Sequence, residues 1–365
     1  NCLIFSDENC RKAIRKLFVS TPGSVLGIDL GSEFVKMVQV DLKGSRPQVK
    51  DFVISELPAN LKASGLINNK DEMASFLHDL INRHNFSTKH AVFSINGKNA
   101  FVREITMPVM SDEELKQAVT WDAGQYVPYE TDTYYMDFAK FGSLTTDGQQ
   151  PIVLVAAPKE IVDSIVEISD MLGLKILKID IDVLSICRTL GKGFEEFILL
   201  DIGLDYSMMT IFQNGAPVAQ RALQRGWGNF VNTVADVVGI DIRQTEALIT
   251  TKNLLLNADE EFREASLVLK DAVNSLMHEC RLTSDYYTTN KREAVFTHLV
   301  LAGAGSAIPG LAEFVAKDNE NEVITHDILK AVDFNSKFEK TKVKAAAPVL
   351  AVAVGAALGG GDFDD

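Results

Sequence analysis

Residues 25–40 read VLGIDLGSEFVKMVQV, and residues 197–212 read FILLDIGLDYSMMTIF. In both stretches an apolar segment runs into Asp-x-Gly, a short loop follows, and a second apolar segment begins. This pattern predicts two strands joined by a tight turn. Asp201 follows Asp29 by 172 residues, which is too long a spacing for a solenoid repeat. The chain is therefore predicted to contain two similar domains, each built on a strand–turn–strand unit.

A hairpin signal follows each copy of this unit. The first copy has Lys43-Gly44, and the second has Asn214-Gly215, a dipeptide typical of type I′ turns. A third apolar segment comes after each hairpin. Each copy is therefore predicted to form three consecutive strands.

Helical patterns between the strands indicate an α/β fold. Apolar residues recur with the helical period along several segments, and Ser111 opens a capping box before another. Besides the helix that begins at this capping box, helices are predicted at residues 70–84, 159–172, 230–238 and 261–287.

The composition excludes some classes of protein. The chain has 365 residues, of which 46% are hydrophobic, so it can bury a sizeable core and is not expected to be largely disordered. Its net charge of −14 argues against a nucleic-acid coat, because phosphate backbones bind clustered positive charge. Backbone N–H groups and a metal ion can still bind a nucleotide. The four cysteines are scattered and lack the spacing of a zinc site.

One apolar run raises the question of a membrane span. The run at 345–358 has 14 residues, whereas a transmembrane helix needs about 20. It also contains Pro348 and Gly355. We interpret it as a buried helix and expect no transmembrane segment.

The two Asp-x-Gly turns carry the predicted chemistry. A tight turn that contains Gly exposes successive backbone N–H groups, which together bind anions. Asp29 and Asp201 are predicted to hold Mg²⁺, which bridges to phosphate oxygens. Lys36 either pairs with phosphate or is a solvated strand lysine, and both interpretations stay open. The other predicted nucleotide-binding positions of these turns are Gly31, Ser32, Glu33, Gly203, Leu204, Asp205 and Ser207.

A Gly-rich turn, LAGAGSAIPGL at 301–311, is the second candidate site. It is not a Rossmann fingerprint, because Ile308 occupies the position of the third Gly, and the chain has no Walker A loop. A strand followed by Gly-x-Gly lets a base or ribose approach the backbone, although ordinary strand-to-helix turns share this pattern. The predicted nucleotide contacts here are Gly303, Ala304, Gly305 and Ser306.

The order of these loops resembles that of the superfamily of actin, sugar kinases and heat-shock ATPases. Within it, the chain resembles the PilM family of actin-like type IV pilus assembly proteins, which are relatives of the division protein FtsA. The stretches that carry this resemblance are 25–36, 115–129, 279–287 and 348–359.

The resemblance implies an α/β, actin-like two-lobe ATPase fold, a duplicated ribonuclease H-like unit, with an inserted α+β subdomain in lobe one. ATP and Mg²⁺ would bind in the cleft between the lobes. The implied segments are an arm at 1–23, lobe one at 24–92, the inserted subdomain at 93–180, a lobe-one helix and connector at 181–200, lobe two at 201–335, and a closing lobe-one helix with an acidic tail at 336–365.

The resemblance also implies a partner and a location. Family members bind the cytoplasmic N-terminal tail of PilN, a bitopic inner-membrane protein, in a groove between lobe one and the inserted subdomain. We therefore expect a cytoplasmic protein that is peripheral at the inner membrane through this partner, with an indirect link to the pilus motor ATPases. Nucleic acid is not an expected partner.

The chain departs from the family pattern near its predicted nucleotide contacts. Trp227 separates Gly226 from Gly228, where relatives carry adjacent glycines. Ile249 stands at the usual Lys position after Glu246. By resemblance, Gly226, Gly228 and Glu246 are still candidates for binding nucleotide.

Hydrolysis would need a positioned water and a base. The sequence identifies no definite base and offers Asp205 and Glu33 only as candidates, so turnover is expected to be slow or negligible. Two alternatives share the fold: a small-molecule kinase, which needs a substrate pocket with a catalytic Asp, and an FtsA-like division protein. FtsA typically ends in a basic amphipathic helix, whereas residues 362–365 are acidic.

Overall fold

The computed structural model describes residues 22–63, 65–290 and 295–361. All but the last two residues of the predicted arm at 1–23 lie outside this set, and so does the acidic stretch 362–365. The described chain forms two compact units. Unit 1 comprises the described residues up to 192, together with 216–218 and those from 327 onward. Unit 2 comprises 193–215 and 219–326.

The elements follow one another in an α/β order. In chain order the strands are β1 Ser24–Leu30, β2 Phe34–Asp41, β3 Gln48–Glu56, β4 Lys62–Ala63, β5 Leu66–Ile67, β6 His90–Ile95, β7 Phe101–Met107, β8 Tyr134–Lys140, β9 Gln150–Pro158, β10 Lys175–Ile181, β11 Phe197–Ile202, β12 Ser207–Gln213, β13 Ala216–Leu223, β14 His298–Ala302, β15 Glu322–Thr325 and β16 Asp333–Phe334. The α-helices are α1 Lys70–Arg83, α2 Asp112–Tyr126, α3 Lys159–Met171, α4 Asp182–Arg188, α5 Trp227–Val238, α6 Ile242–Thr251, α7 Arg263–Asn290, α8 Leu311–Ala316, α9 Lys340–Ala346 and α10 Ala351–Gly359.

Unit 1 is built on a mixed sheet with the strand order β10-β6-β1-β2-β3-β16. β1, β2 and β3 are consecutive antiparallel neighbours, which confirms the three strands predicted for the first copy. β6 lies parallel to β1, and β10 lies parallel to β6. The carboxyl ends of β1, β6 and β10 therefore lie at the same edge of the sheet, at the level of Asp29.

Helix α10 packs on β1 at a distance that only glycine allows. A Cβ atom on Gly27 would lie 1.9 Å from the carbonyl oxygen of Ala353 in α10. On the other side of α10, a Cβ on Gly355 would lie 1.7 Å from the carbonyl oxygen of Ser185 in α4. The helix is consequently held between β1 and α4 by direct backbone contact, and it forms part of the buried core.

The sequence predicts one buried helix for the apolar run at 345–358, but the structure has two. α9 ends at Ala346 and α10 begins at Ala351, and Pro348 lies in the break because its ring and missing N–H disfavour a continuous helix. Among the described residues no single helix meets the criteria of length and apolarity for a membrane span. α9 and α10 meet them only when counted together, across a bend of 87°.

The inserted segment forms a small α+β layer within unit 1. β7, β9 and β8 pair as consecutive antiparallel neighbours. Leu115 and Val119 of α2 pack with Ile152 and Leu154 of β9 in one buried apolar cluster. The bounds implied for this insert, 93–180, are too wide, because both ends fall within strands of the main sheet, β6 and β10.

Unit 2 repeats the topology of unit 1. Its sheet has the order β15-β14-β11-β12-β13, with β14 parallel to β11 and β12 antiparallel to it. Asn214 and Gly215 have φ values of 49° and 72°, as the predicted type I′ turn requires. The order β14-β11-β12-β13 matches β6-β1-β2-β3, so the structure supports the predicted duplication.

Both implied bounds of lobe two, 201 and 335, differ from those of unit 2. β11 begins before residue 201 and pairs with β14, so the connector implied at 181–200 ends inside a strand of unit 2. After His326 the chain returns to unit 1, where β16 pairs with β3. Strand pairing of this kind is non-local and leaves no signal in the sequence around the boundary.

Gly27→Ala is expected to destabilise unit 1 by at least about 2 kcal/mol, because the added methyl group meets backbone that has no room to move. Gly124→Ala is the matched control: Gly124 lies on the exposed face of α2, where a new Cβ comes no closer than 4.0 Å to its nearest neighbour. That substitution should stabilise the helix by up to about 1 kcal/mol. Urea unfolding of both variants measures the difference, and equal stabilities would contradict the packing described here.

Candidate functional site

The first Asp-x-Gly loop is a tight connection between β1 and β2. The N–H of Gly31 donates to the carbonyl oxygen of Phe34 at 3.1 Å. A Cβ on Gly31 would lie 2.7 Å from that oxygen and 2.8 Å from Lys36 Nζ, so the turn requires glycine. Ser32 and Glu33 at its tip are exposed. The two side chains at the tip of the loop are thus exposed to solvent, and their contact with a nucleotide stays a prediction.

Lys36 forms an ion pair with the predicted metal ligand. The two residues face each other in the β1–β2 ladder, and Lys36 Nζ donates to Asp29 Oδ2 at 3.0 Å. Their side chains are 15% and 14% exposed, respectively. Lys36 is therefore not a solvated strand lysine, and its ammonium group lies at the first loop.

A second lysine, Lys62 of β4, reaches the same loop and was missed by the sequence analysis. Its Nζ donates to the carbonyl oxygens of Leu30 at 2.5 Å and Gly31 at 3.1 Å. Burial lowers the pKa of Lys62 to about 8; nearby Asp29 raises this pKa, and Lys36 lowers it further. A two-residue strand has no periodicity, so nothing in the local sequence indicates this contact.

The second Asp-x-Gly loop is held by the start of α5. The N–H of Trp227 donates to the carbonyl oxygen of Gly203 at 2.7 Å, and that of Gly228 donates to Leu204 at 2.9 Å. A Cβ on Gly226 would lie 2.4 Å from the Leu204 carbonyl oxygen. The split glycines Gly226 and Gly228 thus both pack on this loop, with the buried Trp227 between them.

The Gly-rich turn packs against the same loop through the pairing of β11 with β14. Asp201 faces Ala302 in this parallel ladder, and Gly303 follows with a φ of 77°. A Cβ on Gly303 would lie 2.2 Å from Asp201 Oδ1, and one on Gly305 would lie 2.2 Å from Ile202 Cγ2. The structure therefore brings together the second loop, the start of α5 and the Gly-rich turn.

Two predicted hydroxyl donors have acceptors within the protein. Ser207 Oγ donates to the carbonyl oxygen of Arg225 at 2.6 Å, and Ser306 Oγ donates to that of Gly303 at 2.7 Å. Both serines are buried. Asp205 is exposed on the second loop, and Glu246 is half-buried on α6. The two serines stabilise their turns, whereas Asp205 and Glu246 are open to solvent.

The two Asp-x-Gly loops differ in how well their residues suit the predicted Mg²⁺. No group of three or more His, Cys, Asp or Glu side chains suited to a metal occurs in the part of the chain that the structure describes. Asp29 is paired with Lys36 beside a second ammonium group, an arrangement that does not fit a metal ligand. Asp201 Oδ1 packs against Gly303, and the metal role of this carboxylate stays a prediction.

Gly303→Ala is expected to destabilise unit 2 more than Gly148→Ala destabilises unit 1, although both glycines have the same φ of 77°. The positive φ costs alanine about 1 kcal/mol or more at either position, and the ψ of −179° at Gly303 adds to that cost. A Cβ at residue 148 meets nothing within 4 Å, whereas one at 303 overlaps Asp201. Thermal unfolding should show an additional loss of at least about 1 kcal/mol for Gly303→Ala. Equal losses would mean that the turn does not press on Asp201.

A family model described as type IV pilus assembly protein PilM matches residues 27–360. The structure of a PilM-PilN type IV pilus biogenesis complex matches with a TM-score of 0.75 and 23% identity, over 94% of this chain and 100% of that chain.

Two other solved structures match at lower identity. The ethanolamine utilization protein EutJ from Carboxydothermus hydrogenoformans has a TM-score of 0.54 and 14% identity, over 94% of this chain and 93% of its own. MreB5 of Spiroplasma citri bound to ADP has a TM-score of 0.51 and 9% identity, over 89% of this chain and 98% of its own. These likenesses identify the α/β actin-like two-lobe fold. Because the family model spans nearly the whole sequence, the chain belongs to the PilM family of type IV pilus assembly proteins.

Proposed function

We propose that the chain is an ATP-binding scaffold of type IV pilus assembly, and that it binds the cytoplasmic N-terminal tail of a PilN-type inner-membrane protein. The family match over residues 27–360 carries this proposal. The solved PilM-PilN complex supports the partner. Neither alternative, a small-molecule kinase or an FtsA-like division protein, is favoured by these matches. The protein would be cytoplasmic and held at the inner membrane through its partner, with an indirect link to the pilus motor ATPases.

The tail would bind within unit 1, where helix α3 of the insert meets β5. A cavity of about 20 Å³ lies at this junction. The residues that line it are Leu30, Lys62, Gly65, Ile67, Ser94, Ile95, Asn96, Asn99, Ile161 and Ile165. Ile67 and Ile161 are only half-buried, so apolar surface continues outward from the cavity. The cavity itself has room for only about one water molecule, so the peptide would lie on the half-buried apolar surface around it.

Ile161→Glu is expected to weaken binding of a synthetic PilN tail peptide by at least about tenfold, because a carboxylate would be buried against apolar side chains. Met171→Glu is the matched control, since Met171 lies at the other end of α3 and is 51% exposed. Fluorescence anisotropy of a labelled peptide gives both affinities. Unchanged binding by Ile161→Glu would exclude this junction as the groove.

Nucleotide binding is proposed from the two Asp-x-Gly loops and the Gly-rich turn. Gly31, Gly203 and Gly303 are the glycines around which these segments turn. The MreB5 structure, which shares the fold, contains ADP. We assign the phosphates to the two loops, the adenosine to the Gly-rich turn and the metal, where one binds, to Asp201.

Turnover of ATP by the isolated protein is expected to be below about 0.1 per second, because hydrolysis needs a side chain that holds and orients the attacking water. The two candidate bases, Asp205 and Glu33, are both exposed. A continuous phosphate-release assay measures this rate. Asp201→Asn protein, purified in the same way, gives the background from contaminating ATPases. Sustained turnover of many per second above that background would contradict the proposal.

A further inference from the structure

A cavity of about 670 Å³ lies in unit 1, at the sheet edge opposite to that of Asp29. Ser24 opens β1, His90 opens β6 and Asp41 closes β2, and all three residues line this cavity. Ser24 precedes Asp29 by five residues of extended strand, which span about 16 Å. The cavity is therefore separate from the first Asp-x-Gly loop, and it shares no lining residue with the junction of α3 and β5.

The walls of this cavity, which we call the polar cavity, are made of hydrogen-bonding groups. Every residue that lines it has a polar side chain, apart from Gly23. Its acidic and lysine side chains are Asp41, Asp51, Lys43, Lys50 and Lys337. They carry one net positive charge, in a protein whose net charge is −14. Such walls suit a polar ligand, because an apolar one would leave these groups without partners.

Both carboxylates of the polar cavity are already bound. Asp41 accepts from the backbone N–H of Lys43 at 3.1 Å, and its Oδ2 lies 3.3 Å from Lys50 Nζ. Asp51 accepts from Lys337 Nζ. An ammonium group has three N–H donors, so Lys50 and Lys337 keep donors after these contacts. Lys43 Nζ has no acceptor among the residues that the structure describes. Donors and positive charge are thus left in excess.

A buried glutamine fixes two further donors in the wall. Gln39 is 7% exposed, and its Nε2 donates to Ser24 Oγ and to Ser87 Oγ, at 3.0 Å in each case. Its Oε1 accepts from the backbone N–H of Ser87 at 2.9 Å. Both serine oxygens therefore act as acceptors toward Gln39, which leaves each O–H as a donor. Neither O–H has an acceptor within the described part of the chain.

A phosphate group matches this excess of donors. Its oxygens accept hydrogen bonds from ammonium and hydroxyl groups, and those from lysine are among the stronger ones in proteins. The cavity also has the volume of a small-molecule site, which is about 300–1,000 Å³. A phosphate that is joined to a hydroxylated body therefore fits, with Asn85 and Thr88 of the same wall available to its hydroxyl groups.

We propose that the polar cavity binds a phosphorylated polyol, with the phosphate at Lys43 and Lys50 and the hydroxyl groups along Ser24 and Ser87. Glycerol 3-phosphate is the simplest compound of this class. The same phosphoglycerol chemistry occurs in the headgroup of the anionic lipid phosphatidylglycerol. The site uses no residue assigned above to nucleotide or peptide binding, so it stands apart from the proposed function.

Titration of ¹⁵N-labelled protein with glycerol 3-phosphate, followed by amide resonances, tests this. The amides of Ser24 and Ser87 should shift together, with a dissociation constant of about 1 mM or tighter. Lys43→Met should weaken binding by about fivefold or more, and Ser87→Ala by about threefold or more, because each removes a donor. Lys116→Met is the matched control, because Lys116 is an exposed lysine of α2 in the same unit, and its affinity should equal that of wild type.

A second arm identifies the source of the ligand. Sedimentation is compared between vesicles of phosphatidylcholine alone and vesicles that also contain phosphatidylglycerol. Binding to the anionic vesicles that Lys43→Met abolishes supports the proposal with the lipid headgroup as ligand. Amide shifts with glycerol 3-phosphate but no sedimentation with vesicles support it with the free compound.

Three results would overturn the proposal. One is the absence of shifts at Ser24 and Ser87, and another is unchanged affinity of Lys43→Met. The third is a set of shifts confined to the Asp-x-Gly loops, which leaves the proposed nucleotide site intact. Circular dichroism checks the fold of each variant. Should Lys43→Met not fold, Ser87→Ala decides the question alone.

Discussion

Backbone contact without a Cβ atom is the constraint on which both units depend. In unit 1, Gly27 lets α10 rest on β1 only two residues before Asp29. In unit 2, Gly303 lets the Gly-rich turn rest on Asp201 itself. Each carboxylate therefore sits at the end of a strand that is fixed by a neighbouring element at van der Waals distance. The positions of the loops follow from this packing, and so does the low tolerance that we expect for side chains at these glycines.

The duplicated loops have acquired different electrostatic surroundings. The first loop is bordered by two lysines, which donate to its carboxylate and to its carbonyl oxygens. The second loop is bordered by backbone, with the N–H groups of Trp227 and Gly228 bound to its carbonyl oxygens. The first turn is therefore bordered by side-chain charge, whereas the second turn is fixed by main-chain hydrogen bonds.

Much of the fold could be predicted because its signals are local. Asp-x-Gly between apolar segments and the dipeptide Asn214-Gly215 specify turns through the residues of the turns themselves. The boundaries of the insert and of unit 2 could not be predicted, since they depend on parallel pairing between distant strands. At the site, too, contacts set by local sequence could be predicted and contacts between distant segments could not. Lys36 faces Asp29 by hairpin register, whereas Lys62 arrives from a separate two-residue strand. The hydrogen-bond acceptors of Ser207 and Ser306 could not be predicted either, because they are backbone carbonyl oxygens, which every residue has.

The two tryptophans of the chain are in opposite environments. Trp121 on α2 is 90% exposed, whereas Trp227 at the start of α5 is 8% exposed. The backbone N–H of Trp227 donates to the carbonyl oxygen of Gly203 in the second loop. Indole fluorescence depends on contact with water, so Trp227 is expected to emit at a shorter wavelength than Trp121, and iodide is expected to quench mainly Trp121. The fluorescence of Trp227 can therefore report on changes at the second loop, and that of Trp121 on the insert can serve as an internal reference.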